Sequence, residues 1–100
     1  MMLTQTMQSR ITFKPTAYDR VSQILKEVSQ AYGVTINDLR GESRLRHIAR
    51  PRQIAYVRLR DETDLSLPAI GRIMGNRDHT TILYGIRETR KRIQNGEINT

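Results

Sequence analysis

With 100 residues, 37% of them hydrophobic, the chain suffices for one small domain with a modest core. It contains no cysteine, which excludes disulfides and thiolate metal sites, and its two histidines, His47 and His79, are too far apart to form a metal-ligand motif. No stretch approaches the roughly 20 apolar residues that cross a bilayer, and the N-terminus lacks the features of a signal peptide, so we expect a cytoplasmic protein that requires no membrane.

A strong positive charge narrows the choice of partner. The formal net charge is +7 and the isoelectric point is near 10.6, which favours polyanions, nucleic acid first and acidic membrane second. Between Arg40 and Arg60 the chain has seven arginines and no lysine, and Glu42 is the one acid of this stretch. The planar arginine fork suits phosphate oxygens and base edges, so the stretch predicts a nucleic-acid contact. The alternative is a solvated and partly ion-paired surface.

The first predicted helix follows a segment without periodicity. We interpret residues 1–15 as a flexible N-terminal tail or as an extended arm packed on the domain. Thr16 is the expected N-cap of the helix, and Gly33 is its expected end. Between them, apolar side chains recur at three- and four-residue steps, which predicts one buried stripe made of Val21, Ile24, Leu25, Val28, Ala31 and Tyr32.

Two further helices are predicted in the middle of the chain. The first is very short, covers residues 35–39 and buries its two apolar side chains, Ile36 and Leu39. Residues 40–50 are too charged and too interrupted by glycine for a helix, which predicts a basic loop. A longer helix is expected over residues 51–63, because Pro51 suits a first helical turn. This helix is expected to bury Ile54, Ala55, Val57 and Leu59 and to show Arg52, Arg58 and Arg60 outside.

The stretch from residue 66 to residue 92 predicts two helices joined by a tight turn. Ser66 is the expected N-cap of the first helix and Asp78 that of the second, while Gly75 and Asn76 interrupt the helical pattern between them. The apolar stripes are Leu67, Ile70, Ile73 and Met74 in the first helix and Ile82, Leu83, Ile86 and Ile93 in the second. Because the second helix is basic, the arrangement predicts a helix-turn-helix that enters the DNA major groove.

The predicted fold is therefore all-α, a compact multi-helix domain with a helix-turn-helix. We expect this domain over residues 16–94, followed by a C-terminal tail at residues 95–100. The tyrosines fall within helical patterns and are predicted to pack in the domain rather than to stack on bases; they are Tyr18, Tyr32, Tyr56 and Tyr84.

Three motifs in this framework resemble those of one family. They are RPRQIA at residues 50–55, SLPAIG at residues 66–71 and RDHTTI at residues 77–82. At this spacing they closely resemble the C-terminal DNA-binding domain (domain IV) of the bacterial replication initiator DnaA, a helix-turn-helix domain of the Trp-repressor kind. The resemblance covers about residues 17–94.

The resemblance implies that the domain binds a short double-stranded DnaA box of nine base pairs as a monomer. From the residues themselves we expect no cofactor and no metal. The base contacts would come from the recognition helix, from the start of the helix before it and from one loop arginine in the minor groove, which here are Asp78, His79, Thr80, Leu67, Pro68 and Arg44. The implied DNA backbone contacts are Arg46, Arg52, Gln53, Arg60 and Thr81.

The chemistry of these side chains suits the implied roles. A carboxylate such as Asp78 can accept from cytosine N4, and His79 and Thr80 can donate to bases or pack against them. An arginine in the minor groove, which here would be Arg44, reads groove width and A·T content. The remaining arginines would add affinity through counterion release without specifying a base.

The chain departs from the family pattern in the turn. Met74 stands in place of an aromatic residue and Asn76 in place of a second glycine, but methionine repacks easily and asparagine tolerates the left-handed conformation. The sequence has no GxxxxGK[ST] loop, so we expect no ATPase activity. We also expect no enzyme activity, because adjacent helical residues such as Asp78 and His79 point about 100° apart and cannot form a catalytic triad.

Two functions remain as hypotheses. The first is sequence-specific binding of double-stranded DNA at DnaA-box-like sites on the nucleoid, linked to replication initiation or its regulation. Under this hypothesis the chain could compete with full-length DnaA, regulate transcription, serve a mobile element or be a fragment of a longer initiator. The alternative is a cationic interaction module that binds the initiator protein or an acidic membrane surface.

Overall fold

A computed structural model describes residues 17–98 of the chain. Within that range it has five α-helices and no strand, namely α1 (Ala17–Tyr32), α2 (Ile36–Arg40), α3 (Arg46–Glu62), α4 (Leu67–Ile73) and α5 (His79–Gln94). The predicted all-α class is confirmed. The predicted N-terminal tail and the Thr16 cap lie outside the described residues. Over the described part of the chain, no helix combines the length and apolar character needed to cross a membrane.

The third helix is the centre of the domain, since α3 packs against each of the other four helices. The core draws side chains from all five helices. The largest fully buried apolar residues are Ile24, Leu25, Leu39, Leu59, Ile70, Met74 and Ile82. Burying one such side chain contributes about 1.5–3 kcal/mol. Each of these residues lies at a predicted apolar position, so helical spacing identified the core.

The apolar stripe of α1 is shorter than predicted. Val21 and Val28 are buried with the two residues of the stripe between them, but Ala31 and Tyr32 are exposed, so their predicted burial is wrong. Gly33 follows the helix with φ of 68°, a left-handed conformation that glycine adopts without strain. The predicted end of α1 is therefore confirmed.

The tyrosines differ from their predicted packing role. Tyr18 is 73% exposed and Tyr84 63% exposed, and Tyr32 is exposed as well, whereas Tyr56 is buried. The prediction was wrong for Tyr18, Tyr32 and Tyr84. Tyr84 lies about 200° around α5 from the buried Ile82, so helical spacing itself places it away from the apolar stripe. For Tyr18 and Tyr32, spacing shows which side of a helix a residue occupies. It does not show how far a neighbouring helix extends along that side.

The third helix begins earlier than predicted. α3 starts at Arg46, where the N–H of Ala49 donates to the Leu45 carbonyl over 2.7 Å. Pro51 therefore lies inside the helix rather than in its first turn, and its missing N–H costs one helical hydrogen bond. Pro51 is nevertheless a buried residue. The predicted basic loop is thereby shortened to residues 41–45, which we call the Arg44 loop.

The short helix α2 is closed at its N-terminus by a reciprocal cap. The Asp38 N–H donates to Thr35 Oγ1 over 2.9 Å, and the Thr35 N–H donates to Asp38 Oδ2 over 3.0 Å. The backbone and side-chain hydrogen bonds with Thr35 hold the pKa of the Asp38 carboxyl below its usual range. This cap gives a five-residue helix a defined start, and the buried Leu39 anchors it to the core.

One arginine of the basic stretch is used to join α1 to α3. Arg58 Nη2 lies 2.7 Å from Glu27 Oε1, and Arg58 Nε lies 2.7 Å from Glu62 Oε2. Hydrogen bonds to Glu62 and Glu27 raise the pKa of Arg58 above its ordinary range. Arg58 is therefore an ion-paired residue of the fold. For this one arginine, the alternative interpretation of the stretch as a partly ion-paired surface is correct.

Candidate nucleic-acid interface

The turn between α4 and α5 determines where α5 begins. Gly75 and Asn76 have φ of 90° and 60°, so both adopt the left-handed conformation. This confirms that an asparagine can take the place of the family's second glycine in the turn. After the turn, the Arg77 N–H donates to the Gly71 carbonyl over 2.8 Å. The N-terminus of α5 is thus connected to α4 by the turn and by a direct backbone hydrogen bond.

The first turn of α5 is capped and exposed. Asp78 is the N-cap as predicted, since its Oδ2 accepts from the Thr80 N–H over 3.0 Å and from the Thr80 hydroxyl. These side-chain and backbone hydrogen bonds with Thr80 hold the pKa of the Asp78 carboxyl below its usual range. His79, Thr80 and Thr81 are all exposed. The turn therefore presents an ionised carboxylate, an imidazole and a threonine methyl group to solvent.

The Asp78 and His79 side chains lie next to each other at ion-pair distance. Asp78 Oδ1 and His79 Nδ1 lie 3.6 Å apart, which exceeds hydrogen-bond distance. Their side chains are 61% and 55% exposed. This geometry suits two side chains that each meet an external ligand, and it does not orient the imidazole as a catalytic base requires.

The start of α4 contributes an apolar corner. Ser66 caps the helix, since its hydroxyl accepts from the Ala69 N–H over 3.2 Å, which confirms the predicted cap. Pro68 is exposed, whereas Leu67 is partly buried against the core. Of the two predicted apolar base contacts, Pro68 thus offers the larger free surface.

A cleft of about 560 Å³ lies between the Arg44 loop, α3 and α5. It brings together five of the predicted DNA-contacting residues from three segments of the chain, namely Arg44, Arg52, Gln53, Asp78 and Thr81. Arg44 itself is exposed. Its side chain is therefore available to a ligand that also meets the first turn of α5.

Arg52 faces inward, so its predicted outward orientation is wrong. The residue is only 5% exposed. Its Nε donates to the Leu39 carbonyl over 3.0 Å, and its two terminal nitrogens donate to the Ser43 and Asp38 carbonyls, each over 2.7 Å. Burial, and then the nearby charge of Arg77, lower the pKa of Arg52. Residue spacing could not predict that these carbonyls accept from Arg52, because α2 and the Arg44 loop come close to Arg52 only in the folded chain.

Six residues that line the cleft were not among the predicted site residues, and they include Arg77, Tyr56 and Tyr84. Arg77 stands directly before the Asp78 cap, inside a motif that had already been singled out, so its position was the available signal. Tyr56 and Tyr84 had been predicted to pack. At Gly85 a Cβ would lie 2.8 Å from the Tyr56 ring, so this glycine allows α5 to approach α3 closely along the cleft.

Two predicted backbone contacts lie outside the cleft, near the two ends of α3. Arg46 is exposed in the first turn and lines a second groove of about 740 Å³ with His47 and Arg50. Arg60 is exposed near the C-terminus and donates to the Leu65 carbonyl over 3.0 Å. Because a helix rises 1.5 Å per residue, these two arginines are about 21 Å apart along the axis.

These features define a helix-turn-helix protein. α4 and α5 pack against each other across a left-handed turn, and α3 supports both. In proteins of this class the second helix, the recognition helix, lies in the DNA major groove with its N-terminal residues at the base edges. In this chain the second helix is α5, and residues 78–81 at its start are exposed.

Comparison with known proteins identifies the family. Residues 21–88 match the model of the bacterial dnaA protein helix-turn-helix, and the chain belongs to this family. It is an all-α DNA-binding domain of the DnaA C-terminal type, a type linked to replication initiation.

The similar proteins are much longer than this chain. The chromosomal replication initiator protein DnaA of Chloroflexus aggregans is 46% identical over 77 residues, which are 77% of this chain and 15% of that protein. The DnaA of a Picosynechococcus species is 49% identical over 74 residues, which are 74% of this chain and 16% of that protein. The DnaA of Roseiflexus castenholzii is 50% identical over 62 residues, which are 62% of this chain and 13% of that protein. The chain thus spans about 15% of the length of the curated relatives it matches.

Proposed function

We propose that the chain binds double-stranded DNA sequence-specifically at DnaA-box-like sites, one monomer per site, in connection with replication initiation or its regulation. The observation that carries this proposal is the exposed first turn of α5 beside the cleft that contains Arg44. The family membership of residues 21–88 supports it.

The first turn of α5 has the chemistry of a major-groove reader. The bonds that cap the helix use Asp78 Oδ2, so Oδ1 is available to accept from cytosine N4. The Thr80 hydroxyl is bound to Asp78, which leaves the Thr80 methyl group to pack against a thymine methyl. The exposed His79 ring can donate to a base edge, and Leu67 and Pro68 would add apolar contacts in the same groove.

The Arg44 loop would supply the minor-groove contact. Arg44 is exposed on a short loop, and an arginine inserted into a narrow minor groove reads its width and its A·T content. Gln53 and Thr81 share the cleft with it and would bind phosphates there, while Arg46 and Arg60 would bind phosphates at the two ends of α3. The buried Arg52 has little surface left for a phosphate, and we assign it a different role below.

A titration tests the proposal. Fluorescence anisotropy would measure the Kd for a labelled duplex with a TTATNCACA-type box and for a scrambled duplex of the same composition, at several salt concentrations. We expect the box to bind at least about 10³-fold more tightly, and both affinities to fall with salt because bound phosphates release counterions. Equal affinity for the two duplexes would contradict the proposal.

We further propose that this recognition takes place without ATP hydrolysis, other enzyme activity or a cofactor. The sequence contains no phosphate-binding GxxxxGK[ST] loop that would hold a nucleotide. Binding at the same boxes would associate the chain with the nucleoid and make it a competitor of full-length DnaA. Footprinting of a box with both proteins would show displacement of the initiator as this chain is added. Simultaneous protection by both proteins on one box would contradict competition.

The second groove favours one other function. Its lining combines two arginines, Arg46 and Arg50, and the imidazole of His47 with apolar residues that include Pro51 and Ile54, beside one acidic residue, Glu97. The two arginines with the apolar surface suit an acidic protein or an acidic membrane surface. Co-sedimentation with anionic and with neutral vesicles, and pull-down with the initiator, would test this alternative. Under it, Arg50→Ala weakens the binding of vesicles or initiator and leaves discrimination between duplexes unchanged.

A further inference from the structure

We propose that Arg77 and Arg52 are positioning residues, so that the major-groove and minor-groove contacts belong to one rigid unit. Arg77 fixes the Arg44 loop to the start of the recognition helix, and Arg52 fixes the same loop to α3. This inference rests on the proposed DNA-binding function, which it deepens by naming the residues that couple the two contacts.

Arg77 connects the turn before α5 to the beginning of the Arg44 loop. Its side chain donates to the carbonyl of Met74 in its own turn and to the carbonyl of Gly41 in the loop. A further donation to the Arg40 carbonyl spans 3.4 Å. Because Arg77 directly precedes the Asp78 cap, these bonds connect the loop to the residue at which α5 begins.

Arg52 binds the same segment from α3. Its three donations reach the Asp38 and Leu39 carbonyls at the end of α2 and the Ser43 carbonyl in the loop. The two arginines together hold Gly41 and Ser43, the residues on either side of Glu42, and Ser43 directly precedes Arg44. The backbone on the N-terminal side of Arg44 is therefore fixed by two guanidinium groups.

The turn and the loop also meet at bare backbone. A Cβ at Gly75 would lie 2.2 Å from the Arg40 carbonyl oxygen and 3.0 Å from Arg77 Nη1. The helix-turn-helix turn therefore packs directly on the end of α2, at the place where Arg77 forms its bonds. The turn before α5 thus lies against the residue that directly precedes the Arg44 loop.

The charges fit a structural role for both guanidinium groups. The last carbonyls of a helix lack intrahelical partners and carry the negative end of its dipole. The carbonyls of Leu39 and Arg40 are such groups and accept from Arg52 and Arg77, while the Asp38 carbonyl accepts from Arg52 as well as from the Gly41 N–H. A loop that is already ordered in the free protein does not have to be ordered on binding, so Arg44 contributes more to affinity.

A double-mutant cycle with the full chain tests the coupling. The Kd for the box duplex is measured for the wild type, Arg44→Ala, Arg77→Lys and the double variant. Lysine keeps the positive charge, but as a point charge it cannot reproduce the forked donation to three carbonyls. We expect Arg44→Ala to weaken binding about 5- to 150-fold in the wild type and at most about twofold in the Arg77→Lys background.

A matched control is Arg72→Lys, the same substitution at an exposed arginine of α4 that is not among the residues lining the cleft. In the Arg72→Lys background, Arg44→Ala should weaken binding of the box duplex by the same factor as in the wild type. Equal losses in the Arg77→Lys and Arg72→Lys backgrounds would overturn the inference. So would wild-type binding by Arg77→Lys, because charge alone would then suffice. Circular dichroism and thermal unfolding establish that each variant is folded.

A measurement on the free wild type does not depend on any variant. Backbone ¹⁵N order parameters of Glu42, Ser43 and Arg44 should be near 0.85, the value typical of rigid backbone, before DNA is added. Values below about 0.6 would overturn the inference. A wild type that does not discriminate between duplexes contradicts the proposed function, whereas a discriminating wild type with an additive cycle contradicts only this inference.

Discussion

A Cβ placed at Gly71 would lie 2.1 Å from the carbonyl oxygen of Arg77. Gly71 is buried in α4, and Arg77 directly precedes the cap of α5, so the two helices of the helix-turn-helix meet at bare backbone. The Gly71 carbonyl also accepts the Arg77 N–H. The orientation of the recognition helix therefore depends on the absence of a side chain at this one position.

Gly71→Ala should destabilise the domain, although alanine is normally the better helix former. In an open helix the change would stabilise by up to about 1 kcal/mol, but here the added methyl group meets a backbone oxygen that cannot rotate away. We expect a net loss of about 3 kcal/mol in the free energy of unfolding, measured by urea denaturation. Gly33→Ala is the control, because its Cβ meets nothing within 4 Å and should cost only about 1–2 kcal/mol of left-handed backbone strain. If Gly71→Ala lost less free energy of unfolding than Gly33→Ala, the expected clash with the Arg77 carbonyl oxygen would be contradicted.

Thr89→Val should stabilise the domain. Among the described side chains, Thr89 Oγ1 is a buried polar atom without a hydrogen-bond partner, and the residue is fully buried. Valine has the same shape and a similar helix propensity, so the substitution removes the cost of the buried hydroxyl, about 1 kcal/mol or more. Thr89→Ala is the companion variant, and it should be less stable than the valine protein because it leaves a cavity. A valine protein less stable than the wild type in urea would show that the hydroxyl has a partner in solution.

Arg44→Ala and His79→Ala should reduce discrimination between the box and a scrambled duplex. Each removes a proposed base contact, and we expect losses of about 1–3 kcal/mol in specific binding with little change in non-specific binding. Arg46→Ala provides the comparison, because a lost phosphate contact weakens both duplexes alike and lowers the salt slope by about one. Anisotropy titrations of the three variants on both duplexes separate the two patterns. If His79→Ala weakened binding of the box and of the scrambled duplex equally, the proposal that His79 contacts a base would be contradicted.

Stability should fall in acid through the carboxylates paired with Arg58. Hydrogen bonds from Arg58 lower the pKa values of Glu27 and Glu62 in the folded chain from an ordinary value of 4.5. Because the folded pKa values lie below the unfolded ones, this stabilisation is present above pH 4.5 and is lost as the pH falls through the folded values. Arg58→Met should therefore show a shallower loss of stability between about pH 5 and about pH 3 in urea denaturation. Parallel pH profiles for the two proteins would contradict the assignment.

The amino-acid sequence alone determined the fold class, most of the core and the helix ends that carry local signals. Ser66, Asp78 and Gly75 act through neighbours a few residues away, so a cap or a turn can be recognised without the rest of the fold. The motifs also identified the family. These features are local in the chain or repeat with the helical period, and both kinds of information are present in the residue order.

Tertiary structure alone decided the burial of Arg52 and the hydrogen-bond partners of Arg77. The carbonyls that bind Arg52 precede it by 9 to 14 positions. Arg77 reaches the carbonyls of Gly41 in the loop and of Arg40 at the end of α2, which are 36 and 37 positions away. The residue type arginine does not by itself show whether the guanidinium group binds a phosphate or the carbonyls at a helix end. Which partner it takes depends on which backbone groups the packing of α2, α3 and α5 brings within reach, and residue spacing along the chain contains no such distance.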